Sequence, residues 1–254
     1  MNSPIPPQPT PPTTSSPPQI PVHWKFHSNS AIFTFAVIAI SVLAYLGQIL
    51  GTSLLGGDIL ALYGAKINSA ILQGEIWRFI TPVFLHGSVL HIGFNMYALY
   101  SLGSSLEQHY GHGRFAALYL LSGFAGNVVS FLMSQSPSYG ASTAVFGLVA
   151  AEIVFIWKNK RLFRNARFAL VNTIGIVVVN LIIGLSPGID NWGHIGGLLG
   201  GFAFAWFAGP VWRGEMQVDG IHVVDATSHD RAWQAGGLVA FAFAVIALIK
   251  MLTS

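Results

Sequence analysis

The sequence predicts an all-α polytopic membrane protein. Three observations carry the prediction: 53% of the 254 residues are hydrophobic, only 8% are charged, and the mean hydropathy is +0.60. A soluble domain covers its surface with roughly 25% charged residues, and this chain has too few to do so. The composition thus excludes an ordinary soluble enzyme, a coiled coil and a chain disordered over most of its length. Cysteine is absent, which removes disulfides, thiol nucleophiles and Cys-based metal sites. No basic stripe beyond one short loop suggests nucleic acid as a partner.

A helix crosses the hydrocarbon layer with about 20 predominantly apolar residues. Seven stretches meet that need: 31–50, 88–106, 115–133, 141–157, 168–185, 192–209 and 233–252. Residues 1–22, MNSPIPPQPTPPTTSSPPQIPV, carry no charge and no long apolar run. With the three residues that follow they are expected to form a disordered, Pro-rich cytoplasmic tail (1–25). The segment lacks both the apolar core of a secretory signal and the Arg of a mitochondrial transit peptide. A core of six membrane helices is expected over 26–209. A cytoplasmic loop and a seventh helix are expected over 210–254.

Loop charge sets the expected orientation. The connection 158–167 reads KNKRLFRNAR, with Lys158, Lys160, Arg161, Arg164 and Arg167 and no acid. Basic loops stay cytoplasmic. Seven spans then place the N-terminus inside and the C-terminus outside, and the loop 51–87 faces outward. The loop 210–232 falls inside although it is slightly acidic, and acids weigh little in this rule.

Ionisable and polar residues inside spans are costly in lipid, and so point to function. His91 and Asn95 lie one turn apart near the start of span two. Ser142 opens span four, and His194 opens span six. All three spans run inward from the outer face, so the four side chains share one depth, within ~10 Å of that boundary. Serine becomes a nucleophile when an adjacent base takes its proton, and His194 is the candidate base. The oxyanion of acyl transfer needs preorganised donors. His91, Asn95 and the free N–H groups at the start of span four offer them. Gly193, Gly197 and Gly201 repeat every four residues, as do Gly196 and Gly200, and such faces allow close helix approach. Phe146, one turn after Ser142, is placed to pack under the His194 ring.

These residues resemble the rhomboid family of intramembrane serine proteases. The resemblance covers roughly residues 55–209. It rests on Glu75-Ile76-Trp77-Arg78, on His91 and Asn95 as H-x-x-x-N, on Gly140 and Ser142 as G-x-S, and on His194 in H-x-G-G. It implies a Ser–His dyad without a third acid: Ser142 as nucleophile, His194 as base, and His91 and Asn95 as oxyanion donors. It also implies a six-helix core, here with a seventh C-terminal helix, and transmembrane protein substrates cut in or beside the bilayer. No metal and no cofactor is implied. The family usually has Gly after the serine, where this chain has Thr143, and often Tyr where it has Phe146.

Other readings stand beside these. A serine on a helix face is commonly a packing residue; it is the company of His194 that favours a nucleophile. A metal site from His86, His91 and His194 lacks a carboxylate. Asp190, four residues before His194, is expected to cap a helix rather than complete a triad. Trp77 and Arg78 are read as structural residues of an interfacial loop, and Glu107 as a helix-end contact. Glu152, ~15 Å deeper than Ser142, has no assigned role. The alternative function is a catalytically silent family member that binds membrane clients, with Thr143 as its support. A transporter is disfavoured because the polar residues cluster at one end. The expected location is the bacterial inner membrane, in contact with lipid, and no oligomeric state is implied.

Overall fold

The computed structural model describes residues 21–254 apart from 26, 28 and 29. Residues 1–20, most of the expected tail, lie outside the described part. The described chain is mainly helical. Its helices are α1 (Ile32–Leu55), α2 (Ile59–Gly64), α3 (Asn68–Leu72), α4 (Val89–Ala98), α5 (Ser104–Tyr110), α6 (His112–Met133), α7 (Ser142–Lys158), α8 (Ala166–Ile183), α9 (Asn191–Ala208) and α10 (His229–Leu252). A π-helical turn, Leu99–Gly103, joins α4 and α5 into one continuous rod. Four helices, α1, α6, α8 and α10, are by themselves long and apolar enough to cross a membrane. The protein is a polytopic helical membrane protein.

The centre is built from α6, α7 and α9, and glycine makes it tight. The two glycine series of α9 face two neighbours. A methyl group at Gly197 would lie 1.9 Å from the Thr143 carbonyl oxygen of α7, and one at Gly201 would lie 2.4 Å from the Gly147 Cα. On the other face, a methyl at Gly196 would lie 2.8 Å from the Gly126 Cα of α6, and one at Gly200 would lie 2.4 Å from the Ala125 Cβ. Backbones thus meet directly on both sides of α9, where dispersion and close packing replace a hydrophobic driving force. By contrast α8 contains no buried residue.

Long-range polar contacts hold the outer helices to this centre. The N-cap residue of α1, Ala31, supplies no side-chain cap. Glu107 of α5, fully buried, does so instead. Its carboxylate accepts hydrogen bonds from the Phe33 and Thr34 amides at 2.8 Å and from Thr34 Oγ1 at 2.6 Å, and it also meets His112. This anion at a helix N-terminus satisfies orphan donors and the helix dipole together. The inward stripe of α1 is polar, with Thr34, Ser41 and Gln48 buried, as expected where lipid rather than water lies outside.

The connection between α1 and α4 is an ordered loop of short helices and 3-10 turns. Arg78 is buried and donates to the carbonyls of Ala65 at 2.7 Å and Leu62 at 2.8 Å, while pairing with Glu75. Trp77 is half-exposed and donates to the Tyr63 carbonyl at 3.0 Å. Both residues are therefore structural in this loop. Lys66, also buried, donates to Asn68, Ser134 and Ser136 and ties the loop to the end of α6. Burial pulls the Lys66 ammonium down to about 8, against the pull of the Asp190 carboxylate.

The connection 210–232, expected as a loop, instead carries a β-hairpin. Its strands β2 (Trp212–Gln217) and β3 (Gly220–Asp225) pair antiparallel. A short N-terminal strand, β1 (Val22–Trp24), pairs with β3 in parallel, so residues expected in the tail complete a three-stranded sheet. Val218-Asp219-Gly220 at the turn, between runs of strand-forming residues, is the local signal for such a hairpin. Asp225 fastens the sheet to the helices. Its carboxylate accepts from Arg114 of α6 at 2.7 Å, His27 at 2.9 Å, and the amides of Val211 and Thr227. Burial alone would raise the Asp225 carboxyl; the His27 and Thr227 hydrogen bonds and the Arg114 charge outweigh it and hold it well below the usual carboxylate range.

Candidate active site

Ser142 and His194 are brought together at one end of the bundle. Ser142 is the first residue of α7, and His194 lies in the first turn of α9. His194 Nε2 is 2.9 Å from Ser142 Oγ, within hydrogen-bond reach for proton transfer. The glycine contacts between α7 and α9 are what permit that distance. The N-terminal turn of α7, which begins at Ser142 and has no side-chain cap, leaves backbone N–H groups without intrahelical acceptors and places the positive end of the helix dipole at the serine.

The His194 ring lies flat on Phe146, with centroids 4.2 Å apart and planes 10° from parallel. That stack fixes the ring plane and directs Nε2 at the serine. Among the described residues, His194 Nδ1 has no hydrogen-bond partner. Asp190 does not serve it: its carboxylate caps α9 by accepting from the Gly193 amide at 3.0 Å and also takes a hydrogen bond from Ser130. The arrangement is therefore a pair, with Asp190 in a capping role.

His91 flanks the same space. A methyl group at Gly140 would lie 2.6 Å from His91 Nε2 and 3.6 Å from Ser142 Oγ. The two side chains therefore border one small volume, kept open because residue 140 lacks a Cβ. Gly140 has φ +147°, a backbone region that favours glycine. His91 Nδ1 accepts from the Gly87 amide at 3.4 Å, which leaves Nε2 to face the site. Asn95 is buried on the same helix face and donates from Nδ2 to the His91 carbonyl at 2.9 Å. That bond uses one of its two amide hydrogens. Asn95 thus stands behind His91, without a hydrogen bond to Ser142 or His194.

His86, weighed in the sequence only as part of a metal site with His91 and His194, is a neighbour of the site. It is buried, its ring meets His91 edge-on at 5.1 Å, and Nε2 accepts from the Ala141 amide at 3.4 Å, just before the serine. Burial, then repulsion from His91, pushes its imidazole down to about 4. It is therefore neutral at pH 7 and able to accept. Gln48 of α1 holds it in turn, accepting from the His86 amide at 3.0 Å and donating to Asp58 at 2.7 Å. The signal in the sequence was the five-residue spacing of His86 and His91.

Thr143 turns away from the reacting side of Ser142. Its Cγ2 is aimed at two glycines: a methyl at Gly193 would be 2.9 Å from it, and one at Gly126 would be 3.1 Å from it. Gly126 and Gly193 together make the room for the β-branched side chain. The Thr143 hydroxyl is buried and has no hydrogen-bond partner among the described residues.

A hydroxyl and an imidazole in contact, a fixed ring plane, a helix N-terminus and a second imidazole across a small gap can perform nucleophilic acyl transfer. Comparison with known proteins gives the family. A family model described as Rhomboid domain matches residues 73–211. Rhomboid protease GluP of Bacillus subtilis (strain 168) is 40% identical over 178 residues, which are 70% of this chain and 35% of that protein. RHOMBOID-like protein 6, mitochondrial, of Arabidopsis thaliana is 41% identical over 145 residues, 56% of this chain and 47% of that one. RHOMBOID-like protein 9, chloroplastic, of the same plant is 31% identical over 197 residues, 75% of this chain and 45% of that one. The chain spans about a third to a half of the length of these relatives. The matched domain covers more than half of the chain and contains Gly140, Ser142, His91, Asn95 and His194 in one frame, and the chain belongs to the rhomboid family.

Proposed function

We propose that the protein is an intramembrane serine endopeptidase that cuts transmembrane or juxtamembrane segments of other membrane proteins. The observation that carries this reading is the 2.9 Å approach of His194 Nε2 to Ser142 Oγ across two helices. Ser142 Oγ attacks the scissile carbonyl carbon while its proton passes to His194 Nε2. The oxyanion forms beside the Ser142 amide and His91, with Asn95 behind His91 as a further donor. Collapse breaks the C–N bond, and His194 gives its proton to the leaving amine. Water, deprotonated by His194, then opens the acyl-serine and restores both groups.

A helical substrate hides its carbonyls in its own hydrogen bonds, so the cut segment must be extended. Segments with Gly or Pro, and a small residue at the cut, are preferred on that ground. Entry beside α8 fits its lack of buried residues. The basic connection between α7 and α8 supports a cytoplasmic N-terminus, seven crossings and a site near the outer face of a bacterial inner membrane. Thr143 favoured a silent, client-binding protein. Its packing between Gly126 and Gly193 supports the active reading instead.

The test is cleavage of a generic transmembrane reporter in membranes. Wild type is expected to cut, and Ser142→Ala and His194→Ala each to lose at least ~10³-fold. Cleavage that survives Ser142→Ala would refute the mechanism.

A further inference from the structure

The three-stranded sheet sits past the C-terminal end of α9, at the opposite end of that helix from His194. Parallel pairing of β1 with β3 puts His23 directly beside His222 in register, with the rings stacked at 4.8 Å between centroids. Cross-strand partners share one face of a sheet. Asp219, in the hairpin turn three residues before His222, reaches the same place. Its Oδ1 is 2.8 Å from His222 Nε2, and its carbonyl is 3.4 Å from His23 Nε2. One ligand atom from each of His23, Asp219 and His222 lies within 4.8 Å of the others, and this is the only such group of three among the described residues. Glu215 stands opposite His222 on β2, which adds a second carboxylate to the same row.

We propose that His23, Asp219 and His222 bind one divalent cation of the zinc class, which clasps the N-terminal strand onto the β2–β3 hairpin. Two imidazoles and a carboxylate are borderline ligands suited to Zn²⁺, Co²⁺ or Ni²⁺ rather than to Mg²⁺ or Ca²⁺. Zinc–ligand bonds of ~2.0–2.2 Å in a tetrahedron set ligand atoms about 3.3 Å apart. The present spread needs only small rotations to reach that: the His222–Asp219 contact opens by a few tenths of an ångström, and the His23 ring closes in. His23 and Asp219 are exposed and His222 partly so, so the side chains border solvent and have room to turn. Three protein ligands leave the fourth position to water or Glu215. The cation would join two segments almost 200 residues apart, adding to the three β1–β3 pairings and the His27–Asp225 contact.

The test uses the full-length, tag-free protein in detergent, stripped with chelator. Co²⁺ absorption follows binding, and Zn²⁺ competition against a chromophoric chelator gives affinity and stoichiometry. One Zn²⁺ per chain is expected. His23→Asn, Asp219→Asn and His222→Asn are each expected to weaken binding at least tenfold, while His229→Asn stays within twofold of wild type. Folding of each variant is checked by its metal-free thermal midpoint and by reporter cleavage, which these positions do not touch. Absence of Zn²⁺ binding at about 0.1 mM, or equal binding by wild type and the folded His23→Asn/His222→Asn double variant, would overturn the proposal.

Discussion

Replacing Gly197 by Ala probes how the helix packing serves the chemistry. The added methyl would meet the Thr143 carbonyl oxygen at 1.9 Å. An ordinary C···O contact is ~3.3 Å, so α7 and α9 must part by roughly 1.4 Å at this level. Gly197 lies one turn after His194, and Thr143 directly follows Ser142. The separation therefore falls on the two residues whose contact the proposed mechanism requires. A displacement of about 1 Å in a catalytic group costs on the order of 10²-fold in rate, and overpacking costs ~1–3 kcal/mol of stability. Gly197→Ala should thus retain its fold in detergent with a lowered thermal midpoint, yet cut a transmembrane reporter ~10²-fold more slowly. Gly237→Ala on α10 is the control, because a methyl there meets nothing within 4 Å. Cleavage by Gly197→Ala within twofold of wild type would refute the reasoning. An equal loss in Gly237→Ala would refute it too.

Three further outcomes follow from the polar contacts. Glu107→Ala strips the α1 N-terminus of its acceptor for Phe33 and Thr34 and should lower unfolding stability by ~3 kcal/mol, with Glu107→Gln falling between; denaturant unfolding in detergent checks this. Asp225→Asn leaves the nearly buried Arg114 without its counter-charge and should cost ~3 kcal/mol. Because the folded Asp225 carboxyl is depressed, its stabilisation is complete above the ordinary carboxylate pKa of ~3.9 and is lost as pH falls below it. Wild-type and Asp225→Asn thermal midpoints should therefore converge in acid and diverge toward neutrality. Thr143→Val keeps the shape that fills the gap beside Gly126 and Gly193 while deleting an orphan hydroxyl. It should match or exceed wild type in thermal midpoint and cleave within about threefold of it.

The parts legible in the sequence are those written in local spacing. The apolar stretches marked the long helices, and the one-turn repeats of Gly193, Gly197 and Gly201 and of Gly196 and Gly200 marked close faces. The structure assigns the first series to α7 and the second to α6, which periodicity alone does not do. Ser142 and His194 were legible as a pair because each lies in the first turn of a helix at one depth, and Phe146 because it follows Ser142 by one turn. Other features depend on residues far apart in the chain. The Glu107 cap on α1 joins positions more than 70 residues apart, and no cap residue stands at Ala31 to announce it. The space for Thr143 comes from glycines on two other helices. The β-hairpin had a turn signal in Asp219-Gly220, but it was obscured by exposed polar residues and by a partner strand, β1, at the other end of the chain.

The Glu107 cap also bears on the order in which the chain can settle during synthesis. When α1 leaves the ribosome, its first turn has no acceptor for the Phe33 and Thr34 amides. Glu107 follows 73 residues after Thr34, about 4–15 s later at 5–20 residues per second. Through that interval the start of α1 is held by water, by headgroups or by the insertion machinery rather than by its own protein. The α1 helix, made before its acceptor, therefore has an end that closes late, and its anchoring waits on α5.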